Sequence, residues 1–261
     1  MLLSIDIGNS VIKFAAYKLP SFDKTAGFHV ASFSIKSPDE YRLLMNQFLS
    51  EAQLSEQIDA SVIASVVPSL TGPIYQAAMQ ICGCKPFIIG TGTHTGFKIN
   101  IDIHSQLGAD IVANVAAARL ALTPPFVVID MGTATTLTAV DRNGNIAGTI
   151  IHPGLKISLD ILSHSAALLN DVPLTKPSVL IGQNTITSIQ SGIINGHICM
   201  IDGFIQQLHE TLCNTDGTLS LIATGGHAET VIPNCRHKME IDPDLTVRGA
   251  AVLYHLNRKR C

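Results

Sequence analysis

The sequence predicts an α/β protein made of two related domains, each with a mixed sheet and helices packed on it. Two observations favour this class: a strand, an Asp-x-Gly turn and a second strand occur in that order both at Asp6 and at Asp130, and strand patterns alternate with helical ones between the copies. A double proline, Pro124-Pro125, separates the copies and cannot continue a helix. We therefore predict domains at 1–122 and 123–261.

The first copy of the turn lies at the start of the chain. Leu2-Leu3-Ser4-Ile5 has the pattern of an apolar strand, and a second β-rich run covers 11–17. Between them the stretch 6–10 supplies Asp, Gly, Asn and Ser, a composition typical of a tight hairpin.

The second copy repeats this pattern with different residues. The apolar run 126–129 leads into Asp130-Met131-Gly132-Thr133, and a second strand follows at 137–140. A repeat this long does not suit a solenoid, but it suits two related domains.

The remaining elements follow from hydrophobic periodicity. Strands are predicted over 59–67, 85–90 and 219–223, and helices over 70–82, 109–122, 154–169, 184–212 and 226–232. The longest helix contains Gly192 and Gly196, each costing about 1 kcal/mol relative to alanine. Such glycines let another backbone come close, for example that of a second subunit.

Composition excludes several classes of protein. The 17 Lys and Arg against 20 Asp and Glu give a net charge of −3, which offers no electrostatic footprint for nucleic acid or an acidic membrane surface. The 46% hydrophobic content excludes dominant disorder. No stretch approaches the ~18 apolar residues of a membrane span, and the start lacks the basic region of a signal peptide. The 6 sparse cysteines are expected to be reduced thiols, which favours a cytoplasmic location.

The chemistry of the two turns indicates phosphoryl transfer. Each turn projects a carboxylate beyond a buried strand, and its glycine lets the backbone approach a ligand. If the turns face each other, Asp6, Ser10, Asp130 and the hydroxyls of 133–136 surround one polyphosphate, with metal ions between carboxylates and phosphates. The alternative is two ordinary hairpins.

Two further features bear on the same interpretation. A glycine pair, Gly225-Gly226, follows the strand at 219–223 and opens a helix, which suits the phosphate or sugar of a nucleotide. Lys13 is placed to reach a phosphate, although a solvated strand lysine is equally compatible with the pattern. Neither the P-loop motif nor the Rossmann glycine spacing is present, and no histidine pair has the spacing of a helical zinc site.

Taken in order, these motifs resemble the type III pantothenate kinases, members of the superfamily that contains actin, hexokinase and acetate kinase. The resemblance covers nearly the whole chain and rests on six segments: 6–13, 107–110, 130–136, 152–155, 182–192 and 224–228. It implies a duplicated ribonuclease-H-like, actin-like ATPase fold with the active cleft between the halves. It also implies a homodimer that transfers the ATP γ-phosphoryl group to pantothenate, giving 4'-phosphopantothenate in the first step of coenzyme A biosynthesis.

The resemblance also implies the nucleotide-side roles. ATP would be bound by the residues Asp6, Gly8, Asn9, Ser10, Lys13, Thr133, Gly225 and Gly226. Asp6 would hold Mg²⁺, and Asp130 would help bind the monovalent cation, K⁺ or NH₄⁺.

On the acceptor side, the resemblance makes Asp110 the base that takes the proton of the pantothenate hydroxyl. From the residues alone, the favoured interpretation of Asp110 is a first-turn helix carboxylate stabilised by the helix dipole, and only the resemblance reverses this preference. Thr185 would touch pantothenate, either within one subunit or across the dimer interface. The other expected acceptor contacts are Ile101, Gly108, Ala109 and Ile111.

The chain departs from the family pattern at the acceptor. Ile111 stands where the family has arginine and cannot offer a bidentate guanidinium. Ile101 and His104 stand where the loop usually has tyrosine and proline. Three hypotheses follow: a pantothenate kinase that holds its acceptor through Lys98, Asn100 or His104, a kinase for another small hydroxylated acceptor, or a nucleotide-binding homologue without turnover that acts as a regulator.

Overall fold

The computed structural model describes residues 1–102, 107–165, 172–213 and 217–258, which form two compact units. One unit contains Met1–Ala121 and the chain from Asp244 onward, and the other contains Leu122–Pro243. The strands are β1 (Leu2–Ile7), β2 (Val11–Lys18), β3 (Asp23–Ala31), β4 (Ala60–Ser65), β5 (Phe87–Ile88), β6 (Phe126–Met131), β7 (Ala134–Val140), β8 (Ile146–Pro153), β9 (Ser220–Thr224) and β10 (Glu240–Ile241). The helices are α1 (Pro38–Glu51), α2 (Pro68–Cys82), α3 (Ala109–Ala118), α4 (Leu155–Ser165), α5 (Thr185–Gln190), α6 (Gly196–Leu212), α7 (Ala228–Val231) and α8 (Leu245–Asn257).

The sheet of the first unit separates two apolar layers. Its strand order is β3-β2-β1-β4-β5, with β1 antiparallel to β2 and parallel to β4. Because side chains alternate across a strand, Leu3, Ile5 and Ile7 pack on the side of α1 and α2. Leu2 packs on the opposite side with α3 and α8, so Asp6 shares that side.

The second sheet repeats the first. Its order is β10-β9-β6-β7-β8, with β6 antiparallel to β7 and parallel to β9. In both sheets the hairpin strand that carries the Asp-x-Gly turn lies at the centre, flanked by an antiparallel and a parallel neighbour. The predicted α/β class with two mixed sheets is therefore confirmed.

The predicted extent of the second domain, 123–261, is wrong at its C-terminal end, because the last helix belongs to the first unit. Helix α8 packs on α3 in the first unit, where Val247 and Leu253 are fully buried. A side-chain carbon at Gly249 would overlap the carbonyl oxygen of Ala113, so the two backbones touch. Ser4 Oγ on β1 also donates to Val247 O at 2.6 Å. The sequence pattern shows an apolar face but not the partner that the face covers.

The long helix predicted over 184–212 is divided in three. Asn184 caps α5, the chain then makes a π-helical turn at Ser191–Asn195, and α6 continues to Leu212. The turn contains Gly192 and precedes Gly196, the two residues that weaken an α-helix there. Among the described residues, none of the helices combines the length and apolar character needed to cross a membrane.

Candidate active site

The first Asp-x-Gly turn is a hairpin held by a third strand. Gly8 N–H donates to Val11 O at 3.1 Å and closes the turn. Ser32, which follows β3, donates from Oγ to Gly8 O at 2.7 Å and from N–H to Ser10 O at 3.0 Å. Asn9 remains exposed at the tip. The hairpin is thus fixed on one side and presents its tip to solvent.

Asp6 and Lys13 are cross-strand partners at the base of this hairpin. They are paired in the β1–β2 register, and Ala64 of β4 lies beside Asp6 in the parallel register. Both side chains are partly buried on the side of the sheet covered by α3. A carboxylate and an ammonium group therefore lie together beside the hairpin.

Asp110 lies in the first turn of α3, on the same side of the sheet. Its Oδ1 accepts a hydrogen bond from Ile111 N–H at 2.8 Å. Burial raises the pKa of this carboxyl, outweighing the backbone N–H groups of Ile111 and Asp110 that lower it. Because a higher pKa makes a stronger proton acceptor, the position suits a general base.

Gly108 and Ala109 form the helix start that holds Asp110. Gly108 is the N-cap in extended conformation and has no side chain to compete with the carboxylate. A Cβ there would overlap Asp110 Oδ1 and would lie 3.4 Å from Val66 Cγ1. The space around the carboxylate is therefore set by the missing side chain of Gly108.

Ile111, at the position where an arginine was expected, has no arginine beside it within α3. Ile111 is partly buried beside Asp110. Arg119 lies at the other end of the helix, about 12 Å along the axis at 1.5 Å per residue. Its guanidinium carbon lies 5.5 Å from the ring centroid of Phe97. Ile101 is partly buried, and His104 lies outside the described residues.

The loop that leads to Lys98 and Asn100 is anchored on α8. The buried side chain of Asn257 accepts from His94 N–H at 3.0 Å and donates to His94 O at 2.9 Å. Lys98 and Asn100 are exposed beyond this anchor. The anchor ties the loop to the same helix that covers the sheet.

In the second unit, Asp130 lies between two threonines. It pairs with Thr136 of β7 and with Thr224 of β9, so the three side chains share one side of the sheet. Thr224 is 1% exposed, and its Oγ1 has no hydrogen-bond partner among the described residues. A buried hydroxyl without a partner beside a carboxylate is a feature that a bound cation would explain.

The glycine pair lies against the second hairpin. Gly225 has φ +95°, and a Cβ there would lie 2.5 Å from Met131 N, whereas a Cβ at Gly226 would meet open space. His227 N–H donates to Met131 O at 3.1 Å. The structure therefore brings Gly225 and Gly226 to the hairpin that carries Thr133.

Thr133 is contacted by Gly154, which lies in the motif segment 152–155. Gly154 N–H donates to Thr133 O at 3.1 Å, and a Cβ on Gly154 would overlap that oxygen.

Two histidines lie close together near this contact: the rings of His152 in β8 and His197 in α6 are perpendicular, with centroids 5.2 Å apart. Burial, followed by the proximity of His197, lowers the pKa of His227. In the sequence, His197 stands on an apolar helix face, and a histidine there usually belongs to the core, so its neighbours could not be predicted.

Thr185 lies at the start of α5 and is exposed. Asn184 caps this helix by accepting from Thr187 N–H at 2.9 Å. The preceding segment exposes large apolar side chains, with Leu180 73% and Ile181 83% exposed. Thr185 therefore adjoins an apolar surface.

Comparison with known proteins identifies similar chains over the full length. The family model described as type III pantothenate kinase matches residues 2–207. Type III pantothenate kinases from Geotalea daltonii and Rhodospirillum centenum are 34% and 35% identical, over 99% and 100% of this chain and 100% of each relative. A ROK family glucokinase from Streptomyces griseus, solved with glucose and AMPPNP, has a similar fold with a TM-score of 0.52 at 11% identity, covering 99% of both chains.

Proposed function

The chain belongs to the type III pantothenate kinase family, and from this premise we propose how its residues transfer the ATP γ-phosphoryl group to pantothenate. The enzyme is a phosphotransferase that makes 4'-phosphopantothenate for coenzyme A biosynthesis. The assignment is supported by the 34% and 35% sequence identity to named type III pantothenate kinases over the full length of the chain. A homologue without turnover, or a kinase for another acceptor, is not favoured.

Asp110 is the proposed base. As the primary hydroxyl oxygen of pantothenate attacks the γ-phosphorus, its proton passes to the Asp110 carboxylate and the bond to the β,γ-bridging oxygen breaks, releasing ADP. The raised pKa of Asp110 supports this role, because burial makes the carboxylate a better proton acceptor than a solvated one. Gly108 and Ala109 place it, since they begin the helix from which it projects.

Mg²⁺ is proposed to be held by Asp6. Among the described residues no cluster of three or more His, Cys, Asp or Glu side chains is present that could hold a metal by itself. The single carboxylate of Asp6 fits Mg²⁺, because this ion is usually bound through one or two carboxylates together with phosphate and water oxygens. Bound at Asp6, Mg²⁺ would supply positive charge that offsets the phosphate charge during transfer.

The two hairpins are proposed to bind the phosphates of ATP. Asn9 and Ser10 supply donors at the first tip, Gly8 lets the backbone approach the phosphates, and Lys13 supplies a positive charge beside Asp6. Thr133 supplies a hydroxyl at the second hairpin. Gly225 and Gly226, packed against that hairpin, are proposed to contact the nucleotide.

The monovalent cation, K⁺ or NH₄⁺, is proposed to bind at Asp130. The support is Thr224 Oγ1, which is buried without a partner among the described residues and is in register with Asp130. A carboxylate and a hydroxyl oxygen are suitable ligands for a hard cation. The cation would offset phosphate charge at the second hairpin.

The acceptor is proposed to lie beside Ile101, Ile111 and Asp110. Lys98 and Asn100, exposed beyond the Asn257 anchor, offer the polar groups that Ile111 lacks. Thr185 is proposed to reach pantothenate from the second subunit of a homodimer.

The homodimer is supported by an apolar patch next to Thr185. We define the 179–186 patch as Val179, Leu180, Ile181 and Ile186, whose exposed fractions are 39%, 73%, 83% and 50%. A patch of this kind marks an interaction surface.

We also propose a cytoplasmic location, where thiols stay reduced, since the five described cysteines are free.

A coupled ADP-release assay with Mg²⁺ and K⁺ tests the function. We expect slow ATP hydrolysis alone and strong stimulation by pantothenate, with 4'-phosphopantothenate identified as product. ATP binding without stimulation by pantothenate would contradict the assignment.

A further inference from the structure

His197 links two segments of the second unit that are far apart in the sequence. It lies in the first turn of α6 and is 4% exposed. Its Nδ1 lies 2.9 Å from Ile193 O in the π-helical turn, and its Nε2 lies 3.1 Å from Pro153 O at the end of β8. A carbonyl oxygen only accepts and a neutral imidazole has one N–H, so the neutral ring donates either to Ile193 O or to Pro153 O.

The Pro153 carbonyl lies beside the second hairpin, because Pro153 and the next residue, Gly154, both contact that hairpin. Pro153 pairs with Ala134 at the start of β7, and Gly154 N–H donates to Thr133 O at 3.1 Å. The absence of a side chain on Gly154 allows this approach, since a Cβ would overlap the Thr133 oxygen. Any shift of the backbone at Pro153 is therefore passed to Thr133 through direct contacts.

We propose that His197 is a positioning residue for the nucleotide hairpin, which it fixes by donating a hydrogen bond to the Pro153 carbonyl. This inference rests on the proposed contact of Thr133 with ATP. His197 lies behind the hairpin and need not touch the nucleotide.

The alternative is that His197 only stabilises the core. His152 Nδ1 also lies 2.8 Å from Pro153 O, and a carbonyl oxygen can accept two hydrogen bonds. Loss of His197 would then leave the carbonyl with a donor, and only stability would change. The positioning role predicts that loss of His197 weakens the binding of ATP and not that of pantothenate, whereas the stabilising role predicts no such difference.

His197→Leu removes the donors at similar volume, and His197→Gln retains a donor group. His209→Leu is the matched control, because His209 lies in the last turn of the same helix and also contacts a carbonyl, with Nε2 2.8 Å from Gly217 O. Steady-state kinetics would give kcat and KM for ATP and for pantothenate, and direct titration would give the Kd of Mg²⁺-ATP.

We expect His197→Leu to raise KM and Kd for ATP about tenfold, the effect of one lost hydrogen bond, with KM for pantothenate changed less than twofold. His197→Gln should recover part of this loss, and His209→Leu should match the parent enzyme. Equal changes in both KM values, or a lowered melting temperature alone, would overturn the inference.

Thr133→Ala separates this inference from the proposed function. If Thr133→Ala raises KM for ATP and His197→Leu does not, the positioning role is wrong while the site assignment stands. If Thr133→Ala leaves ATP recognition unchanged, the assignment of Thr133 is wrong and the inference falls with it. Should His197→Leu fail to fold, His197→Gln with unaltered ATP affinity and no KM split would equally overturn it.

Discussion

A side-chain carbon at Gly108 would overlap the Oδ1 atom of Asp110. The glycine at the N-cap of α3 therefore sets the position of the proposed base, although it carries no functional group of its own. A carboxylate can rotate away from such a contact, so substitution at Gly108 should displace the base more than it destabilises the helix.

We predict that Gly108→Ala lowers kcat by about 10- to 100-fold, because a small misplacement of a reacting group is costly. KM for ATP should change less than twofold. Gly203→Ala is the control: a Cβ at Gly203 in α6 meets open space, and alanine there should raise stability by up to ~1 kcal/mol. Full activity in Gly108→Ala would contradict the proposed placement of Asp110.

The pH dependence should report the raised pKa of Asp110. The base must be ionised, so kcat/KM for pantothenate should fall as the pH is lowered through that pKa, with a midpoint above the ~3.9 of a solvated aspartate. Asp110→Asn should abolish turnover and leave the Kd for ATP unchanged. Turnover close to that of the parent enzyme would show that another group is the base.

Asp110→Asn, which should abolish turnover, should nevertheless make the fold more stable at neutral pH. A carboxyl whose folded pKa is raised binds its proton more tightly in the folded state, so its stabilising effect is present at low pH and is lost as the pH rises through the folded pKa. At neutral pH, Asp110→Asn should therefore melt at a higher temperature than the parent. A lower melting temperature at pH 7 would contradict the direction of the shift.

The hydroxyl of Thr224 can be tested with an isosteric pair. Thr224→Val should weaken activation by K⁺ by about tenfold in half-saturating concentration, since it removes one proposed ligand. Thr135→Val is the control, because Thr135 Oγ1 is also buried without a partner among the described residues but lies on the opposite side of β7. Both substitutions should leave stability within ~1 kcal/mol when K⁺ is absent. Equal K⁺ dependence in the two variants would exclude Thr224 as a ligand.

Gly225 should tolerate substitution far less than its neighbour. Gly225→Ala introduces a side chain at φ +95° that meets the Met131 backbone, and we expect it to lower the free energy of unfolding by about 2 kcal/mol or more. Gly226→Ala should change that free energy by less than ~1 kcal/mol, as a Cβ there meets open space. Chemical denaturation measures both, and similar values would refute the close contact at Gly225.

The 179–186 patch predicts the effect of charge on assembly. We expect the parent chain to be a dimer by light scattering and the double variant Leu180→Asp, Ile181→Asp to be a monomer with reduced turnover. Leu120→Asp, at a leucine that is 56% exposed in the first unit, should stay dimeric. A dimer that survives the double variant would place the interface elsewhere.

The hairpins could be predicted because their signal is local. The strand at Leu2, the Asp-x-Gly turn and the following strand occupy adjacent residues, and the same order recurs at Asp130. The start of α3 at Ala109 was equally visible, since a helical stripe begins there. Each of these elements is decided by residues that are close together in the chain.

Contacts over long separations could not be predicted in this way. The packing of Gly249 against Ala113 joins helices that are more than a hundred residues apart, and the contact of His197 with Pro153 joins residues 44 positions apart. No spacing in the sequence encodes either contact. The hydroxyl of Thr224, which has no hydrogen-bond partner in the part of the chain that the structure describes, was likewise recognised only from its burial.

The return of α8 to the first unit has a consequence for biosynthesis of the protein. On one side, the sheet that carries Asp6 and Lys13 is covered by α3 alone until the ribosome has translated the second unit and Leu245–Asn257 has emerged. The nascent chain must therefore hold a half-assembled layer through most of its synthesis, and a stop codon shortly after Pro243 would yield a chain with an exposed apolar face, prone to aggregation.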